Sequence, residues 1–190
     1  MSNLITRTTE LAMSITLNYI SPGDTVIDGN SGTGQDTLSL AQAVGECGKV
    51  FAFDVQQEAV QKTQERLSTY GITNAVIVND SFETIEDHVP ECTASAAVFN
   101  LGYLPGGDHN ITTTAETSLR GIEAALRAIR QGGIVTVVLY DGHEEGSREK
   151  QMILDWAEAL EPGKYHVVFA NMLNQKNHPP EILWITKKHI

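Results

Sequence analysis

Two kinds of hydrophobic pattern alternate along the chain. Short runs of adjacent apolar residues are typical of strands buried on both faces, whereas apolar residues spaced three or four positions apart are typical of amphipathic helices. The clearest helical spacing joins Leu119, Ile122, Leu126 and Ile129. The short runs predict strands at residues 25–27, 50–53, 75–78, 96–99, 134–139, 165–172 and 182–186. The periodic segments predict helices at residues 4–20, 37–44, 58–70, 81–88, 113–131 and 147–160.

The order of these elements indicates the fold class. Strands and helices alternate as far as the last two strands, which follow each other with no helix between them. The alternation predicts a parallel sheet covered by helices on both faces, and the last two strands must pair antiparallel or lie apart. We therefore expect an α/β, Rossmann-like single domain over residues 1–190, with a mostly parallel seven-stranded sheet and a C-terminal antiparallel hairpin. This arrangement resembles that of the class I methyltransferases.

Length and composition restrict the function classes. The 190 residues suit one domain, and no apolar run approaches the roughly 20 residues that a membrane-spanning helix needs. The first seven residues lack the charged and apolar regions of a secretion signal. Cys47 and Cys92 match no metal-binding spacing, so we expect free thiols, no metal site and a cytoplasmic protein.

The net charge of −11 argues against a strongly basic nucleic-acid surface. Proteins that bind phosphates usually gather Lys and Arg on one face. The chain has 13 basic residues, and some of them cluster on one predicted helix, shortly after it, and near the C-terminus. These clustered residues are Arg120, Arg127, Arg130, Arg148, Lys150, Lys176, Lys187 and Lys188. Solvated helix faces and an exposed terminus would explain them, so composition alone favours a small-molecule substrate.

The first candidate site residues follow the end of the first strand, because ligands of parallel sheets bind at the carboxyl ends of the strands. Residues 28–34, Asp-Gly-Asn-Ser-Gly-Thr-Gly, let the backbone turn sharply and come close to a ligand. The segment fails the dinucleotide pattern G-x-G-x-x-G, because Thr37 or Ser31 stands where a glycine is needed. An acidic residue followed by G-x-x-G-x-G resembles motif I of the class I methyltransferases, whose ligand is S-adenosylmethionine. A plain structural turn is the alternative.

Acidic residues also follow the second and third strands. Asp54 lies 20 residues beyond Gly34, where a carboxylate can accept both hydroxyls of an adenosine ribose. Asp80 and Ser81 follow the third strand, where class I methyltransferases hold the adenine. Asp54 and Ser81 would also suit the N-caps of helices, so both interpretations stay open.

The fourth and fifth strands end in polar segments that contain glycine. Asn100 begins a loop with Tyr103 and Asp108 that superficially resembles the N-P-P-Y motif of amino-group methyltransferases, with Leu-Gly in the middle. An Asn carbonyl can accept a hydrogen bond from an amine, and an aromatic ring can stack on the acceptor. His143, after the fifth strand, could accept a proton or contact the substrate. A bland loop and a simple turn are the alternatives here.

Together these segments resemble the YtqB-like (MnmM) family of small bacterial proteins long labelled rRNA methylases. The resemblance covers essentially the whole chain, and its most specific parts are residues 100–108, 140–143, 174–175 and 179–180. Gly29-Asn30 and Gln35 depart from the family's usual residues, whereas Asp36-Thr37 matches them. The resemblance implies an S-adenosylmethionine-dependent enzyme that methylates the amino group of 5-aminomethyl-2-thiouridine at the wobble position of tRNA. It also implies a homodimer.

The motifs and the resemblance give a set of candidate site residues. On the acceptor side we expect Asn100 for orientation, Tyr103 for the acceptor base, and Asp108 or His143 for the proton. The expected cofactor-binding residues are Asp28, Gly29, Asn30, Gly32, Gly34, Asp36, Thr37, Asp54, Gln56, Asp80, Ser81, Asn100 and Gly102. The alternatives are a methyltransferase that acts on rRNA or a small amine, and a cofactor-binding subunit without catalysis of its own.

Overall fold

A computed structural model describes residues 7–102, 114–141 and 144–189 of the chain. Its strands are β1 (Thr25–Asp28), β2 (Lys49–Phe53), β3 (Ala75–Val78), β4 (Ala94–Asn100), β5 (Ile129–Leu139), β6 (Tyr165–Ala170) and β7 (Glu181–Lys187). Its helices are α1 (Thr8–Leu17), α2 (Gln35–Val44), α3 (Gln57–Thr69), α4 (Ile85–His88), α5 (Ala115–Ala128) and α6 (Glu144–Glu158), with a 3₁₀ turn at Phe82–Thr84 before α4.

Within the described residues all strands join one sheet, in the order β3-β2-β1-β4-β5-β7-β6. The first five strands, β1 to β5, run parallel to one another. β7 runs antiparallel between β5 and β6, with Val137 opposite Leu183 and Phe169 opposite the same leucine on the other side. The prediction of a mostly parallel sheet that ends in an antiparallel hairpin is therefore confirmed. The carboxyl ends of β1, β2, β3, β4, β5 and β6 all lie at one edge of this sheet.

The sheet separates two apolar cores. On one face, Phe99 and Ile122 are fully buried in a cluster that includes side chains of α5 and α6. On the other face, Leu40 of α2 and Ala12 of α1 pack over β1, β4 and β5. α3 lies beside α2. The helices thus cover both faces, as the apolar runs in the strands predict, and they leave the strand ends open.

The boundary between α5 and β5 differs from the prediction. We expected the helix to continue to residue 131, but Ile129 already has extended backbone angles (φ −70°, ψ 141°). The last carbonyl groups of the helix accept hydrogen bonds from Cys92 and Thr93, which lead into β4. β4 and β5 pair through an irregular register in which Ala94 lies opposite Ile129 and Ala96 opposite Ile134. Pairing with β4 therefore draws residues 129–133 into the strand.

The packing of α1 also differs from its apolar pattern. The apolar spacing of this segment predicts a buried stripe of Leu4, Leu11, Ile15 and Tyr19. Leu4 lies outside the described residues, and Ile15 and Tyr19 are 38% and 36% exposed. The buried face consists of small residues, Thr8, Ala12 and Thr16. The hydroxyl of Thr16 bonds to that of Thr136 at 2.6 Å, because small side chains let the helix lie close to β5. No helix of the described part of the chain has both the length and the apolarity needed to cross a bilayer.

Candidate active site

The glycine-rich loop between β1 and α2 lies at the open edge of the sheet. Gly34 has φ +77°, and a Cβ there would lie 2.9 Å from the Cα of Thr63 in α3. A Cβ on Gly29 would collide with the ring of Phe99 in β4. Only glycine allows both this left-handed turn and this close approach. The loop is thus held between α3 and β4, at the position that motif I predicts.

Asp28 lies beneath this loop rather than on its surface. The residue is 1% exposed, and one carboxylate oxygen accepts a hydrogen bond from the Thr37 hydroxyl at 2.6 Å. The other oxygen accepts from the backbone N–H of Asn30 at 3.3 Å. Burial, with the negative charge of Asp36 nearby, raises the pKa of Asp28 to about 7. The carboxyl group therefore connects β1 to the first turn of α2 and shapes the loop from inside.

Asp54, at the end of β2, holds the loop from the neighbouring strand. One of its oxygens accepts from the backbone N–H of Gly32 at 2.9 Å, and the other accepts from that of Gln56 at 3.0 Å. Burial raises the pKa of Asp54. Gln56, and not Asp54, is the N-cap residue of α3. Each carboxylate oxygen has a further lone pair, so Asp54 can still accept from a ligand hydroxyl.

The end of β3 carries the next two candidates. Asp80 is exposed and accepts a hydrogen bond from the N–H of Ser81 at 2.7 Å. The hydroxyl of Ser81 accepts from the N–H of Glu83 at 3.2 Å and so caps the 3₁₀ turn. Asn79 donates to the carbonyl oxygen of Asp54 at 2.9 Å, which joins the ends of β3 and β2. Of the two interpretations of Ser81, the structure shows the cap.

Asn30 joins the glycine-rich loop to the end of β4. Its side-chain oxygen accepts from the backbone N–H of Asn100 at 2.7 Å, and its side-chain nitrogen donates to the carbonyl oxygen of Asn100. Both ends of the Asn30 amide are therefore engaged by the backbone of one residue. The side chain fixes the spacing between the loop and the residue expected to orient the acceptor.

The side chain of Asn100 is itself held at both ends. Its nitrogen donates a hydrogen bond to the carboxylate of Asp36. Burial raises the pKa of Asp36, and this hydrogen bond opposes the rise. Its oxygen accepts from the hydroxyl of Tyr140 at 2.8 Å. Burial and the charge of Asp36 raise the pKa of Tyr140, which keeps the phenol protonated as a donor. A Cβ on Gly102 would lie 3.1 Å from the Tyr140 ring, so the glycine makes room for it.

Two residues of this arrangement were not among the predicted site residues. Tyr140 stands in a segment that the family resemblance includes, and its position directly after β5 was the available signal. Arg66 of α3 donates to the carbonyl oxygen of Thr33 at 2.7 Å and to the side chain of Gln35 at 3.0 Å. No motif identifies Arg66, because its role depends on how α3 packs against the loop. Tyr103, Asp108 and His143 lie outside the described residues.

The described residues suit the S-adenosylmethionine that the sequence predicts. Gly32 and Gly34 have left-handed backbone angles (φ +53° and +77°), which let the loop turn sharply at the strand ends. The first turn of α2, from Gln35, has backbone N–H groups that no helical carbonyl satisfies, and these attract a carboxylate. Asp54 provides an acceptor for ribose hydroxyls one strand away. Among the described residues no cluster of His, Cys, Asp and Glu could hold a metal ion.

Comparison with family models matches residues 50–186 to the family described as “Putative rRNA methylase”. Residues 2–90, which contain the glycine-rich loop, also match the protein-L-isoaspartate O-methyltransferase model. Among curated proteins, the chloroplastic tRNA (mnm(5)s(2)U34)-methyltransferase of Arabidopsis thaliana is 33% identical over 183 residues. That alignment covers 91% of this chain and 67% of the plant protein.

Comparison with solved structures also finds methyltransferases that are similar to this chain. A Clostridium thermocellum protein of the same description superposes with a TM-score of 0.92 at 34% identity, covering 95% of this chain and 97% of that one. A Streptococcus mutans methyltransferase, solved in complex with SAH, has a TM-score of 0.87 at 34% identity and covers 95% and 98% of the two chains. The similarity therefore extends across the whole sheet, including the hairpin.

Proposed function

Since this chain belongs to the rRNA methylase family, we propose that it transfers a methyl group from S-adenosylmethionine to the 5-aminomethyl group of 5-aminomethyl-2-thiouridine at the wobble position of tRNA. The Arabidopsis relative, whose name specifies this position, supports the choice of acceptor. The observation that carries the proposal is the Asn100 amide, whose oxygen is held at the end of β4 beside the glycine-rich loop.

The glycine-rich loop and the ends of β2 and β3 form the cofactor side of the site. Bound S-adenosylmethionine supplies an electrophilic methyl group on its sulfonium. The N–H groups at the start of α2 bind the carboxylate of its amino-acid end, and Asp54 accepts from the ribose hydroxyls. Gln56, Asp80 and Ser81 follow the ends of β2 and β3, where they would line the adenine side of the site. Asp28, Asn30 and Thr37 contribute by fixing the loop, since their side chains bond within the protein.

The end of β4 orients the primary amine that accepts the methyl group. Asn100 uses one lone pair of its oxygen for Tyr140, which leaves the second for an N–H of the substrate. An amine that accepts a methyl group must first be neutral, so a nearby group must take its proton. We assign that task to Asp108 or His143 and the stacking of the acceptor base to Tyr103. Alignment of the reacting groups can lower the barrier by ~7–11 kcal/mol in favourable cases.

We further infer that residues 1–190 act as one methyltransferase domain that forms a homodimer in the cytoplasm. One sheet joins all the strands of the described residues, which supports a single domain. The edge strand β6 exposes Val167, Val168 and Phe169, and an apolar edge of this kind favours pairing with a second copy. Cys47 and Cys92 are both free and exposed, which suits a reducing compartment.

A gene deletion tests the acceptor directly. Nucleosides from bulk tRNA of the deletion strain should lack the methylated wobble nucleoside and accumulate its 5-aminomethyl precursor. Expression of the wild-type chain should restore the methylated form, whereas the Asn100→Ala variant should not. The purified variant should still bind S-adenosylmethionine, because the backbone of Asn100, and not its side chain, holds Asn30.

The possible results separate the alternatives. If the tRNA nucleosides of the deletion strain are unchanged and its rRNA lacks a methyl group, the substrate is rRNA and not tRNA. Full turnover by Asn100→Ala with normal cofactor binding would contradict the role given to the end of β4. Cofactor binding by the wild-type chain without methylation of any RNA fraction or small amine would favour a non-catalytic subunit.

A further inference from the structure

A second concave site lies at the same edge of the sheet, beyond the end of β5. It is a cleft of about 220 Å³ between the end of β5 and the loop that joins β6 to β7. We call it the hairpin-loop cleft. Its lining residues are Asp141, Asn171, Met172, Leu173, Gln175, His178, Pro179 and Glu181. The volume is below the ~300–1,000 Å³ of sites for drug-sized ligands, so it suits a single flat ring.

The floor of the hairpin-loop cleft is a partly buried ion cluster. Lys150 of α6 is 19% exposed and lies 3.1 Å from the carboxylate of Asp141 and 2.5 Å from that of Glu181. Hydrogen bonds from Ser147 and Lys150 lower the pKa of Asp141, so it stays ionised at neutral pH. Two carboxylates against one ammonium leave the floor negative. A phosphate would be repelled there, whereas the N–H groups of a nucleobase edge would be attracted.

The walls of the cleft offer what a base requires. Asn171 and Gln175 carry exposed amides that can bond to the edge of a base. The imidazole of His178 is 71% exposed and lies 3.9 Å from Asp141, on a backbone with a left-handed φ of +45°. Leu173 is 93% exposed, so its apolar side chain is accessible to a ligand. Imidazole rings are among the side chains on which unpaired RNA bases stack.

Within the described residues, the loop between β6 and β7 carries one lysine that forms no ion pair. Of the 13 Lys and Arg residues, all of which lie in the described residues, eight form ion pairs with carboxylates. Arg66, Lys187 and Lys188 bond to carbonyl oxygens, and Lys49 lies over the ring of Phe51. Within the described ranges, Lys176 is the basic side chain without such a partner, and it stands on the β6–β7 loop. In a chain of net charge −11, it is the cation most available to a phosphate.

We propose that the hairpin-loop cleft is a base-binding subsite for the nucleotide next to the methylated one in a single-stranded RNA loop. The base stacks on His178 beside Leu173, its edge bonds to Asn171 and Gln175, and Lys176 meets the adjoining phosphate. This inference rests on the proposed function only in taking RNA as the substrate. The cleft lies above β5 and β7, and two strand spacings of ~4.8 Å separate β7 from Asn100 on β4, a distance that an adjacent nucleotide can span.

Binding of a synthetic anticodon stem-loop tests the subsite. The stem-loop carries 5-aminomethyl-2-thiouridine at the wobble position, and its affinity is measured by fluorescence anisotropy at several salt concentrations. His178→Asn removes the ring and suits the left-handed backbone. It should weaken binding roughly 5- to 150-fold, as expected for one lost stacking contact. Lys176→Ala should reduce the slope of log K against log salt by about 0.7, because one phosphate contact is lost.

The matched control is Lys164→Ala. Lys164 lies at the amino-terminal end of β6, whereas the cleft lies beyond the carboxyl-terminal end of this strand. Its side chain pairs with Glu161. This variant should bind the stem-loop like the wild-type protein. Calorimetry should give the same affinity for S-adenosylmethionine in all variants, and thermal unfolding should show that each is folded.

Two failures are distinguishable. In the first, the wild-type protein binds and methylates the stem-loop, and His178→Asn and Lys176→Ala bind it with the same affinity. That result would overturn the subsite and leave the proposed function intact. Wild-type protein that binds S-adenosylmethionine but has no affinity for the stem-loop would overturn both. A rise in the Michaelis constant for tRNA in both variants, at unchanged kcat, would support the subsite.

Discussion

At the scale of single residues, orientation of Asn100 depends on neighbours that themselves need not touch a substrate. A side-chain amide can rotate so that its oxygen and nitrogen exchange places, and Asp36 and Tyr140 exclude the wrong orientation. The carboxylate of Asp36 requires the nitrogen, and the phenol donates to the oxygen. Asn30 fixes the backbone of the same residue. Asn100 is therefore pre-organised before any ligand binds.

Tyr140→Phe should lower kcat while leaving the affinity for S-adenosylmethionine unchanged. The change removes one hydrogen bond worth ~0.5–1.5 kcal/mol, which corresponds to roughly a 2- to 12-fold loss of rate. In an Asn100→Ala background the same change should have little further effect, because its partner is gone. Steady-state kinetics of the four proteins measure this coupling. Tyr70→Phe, at a 58% exposed position, is the control, and additive losses in the double variant would contradict the positioning role.

Asp28 should make stability depend on pH. Its pKa is about 7 in the folded protein and near 3.8 when unfolded, so the folded state binds the proton more tightly. The resulting stabilisation is complete below pH 4 and is lost as the pH rises to about 7. The full change is on the order of 4 kcal/mol. Glu149, buried against Ser118 with a pKa also raised by burial to about 7, acts in the same direction.

Urea unfolding between pH 5 and pH 8 measures this dependence. The free energy of unfolding of the wild-type protein should fall over that interval. Asp28→Asn keeps an oxygen for Thr37 and should reduce the slope, and adding Glu149→Gln should reduce it further. Equal slopes in the wild-type protein and both variants would show that neither carboxyl group binds its proton more tightly on folding.

At the scale of elements, the glycine-rich loop is shaped by the elements on either side of it. α3 contributes Thr63 against Gly34 and the guanidinium of Arg66 against Thr33. β2 contributes Asp54, and β4 contributes the ring of Phe99 and the backbone of Asn100. The loop is therefore a rigid platform assembled by packing, and changes in its neighbours should alter cofactor affinity.

Gly34→Ala should weaken binding of S-adenosylmethionine and destabilise the fold. The new Cβ would lie 2.9 Å from the Thr63 backbone and occupy a left-handed conformation. Conformational strain costs ~1–2 kcal/mol, and overpacking adds ~1–3 kcal/mol. Gly71→Ala is the matched control, because Gly71 has φ +65° with nothing within 4 Å of its Cβ position. Calorimetry should show reduced cofactor affinity for Gly34→Ala alone; equal affinities would mean that the loop tolerates displacement.

At the scale of the whole molecule, charge and apolar surface are distributed unevenly. Most cations form ion pairs, so the acidic protein presents few positive groups to a polyanion. The three exposed apolar residues of β6 lie on the last strand of the sheet, with which no strand of the described residues other than β7 pairs. A second copy could cover that edge and bring two sets of basic residues to one RNA.

Val168→Lys should convert the proposed homodimer into a monomer. Val168 is 54% exposed on β6, and a charge there would have to be desolvated if two edges paired. Analytical ultracentrifugation at micromolar concentration measures the mass. Val76→Lys is the control, since Val76 is 37% exposed on β3 at the other edge of the sheet. An unchanged mass for Val168→Lys, with the wild-type protein dimeric, would place the interface elsewhere.

The sequence by itself determined the features that depend on local order along the chain. Apolar runs and helical spacing predicted the sheet and its hairpin, because the period of burial differs between strands and helices. The strand ends then identified Asp28, Asp54 and Asn100 as candidates, because parallel strands bring their carboxyl ends to one edge. Tertiary structure decided what depends on distant contacts. It turned Asp28 inward, paired Asn30 with Asn100, brought Tyr140 and Arg66 into the site, and extended β5 to Ile129 through pairing with β4.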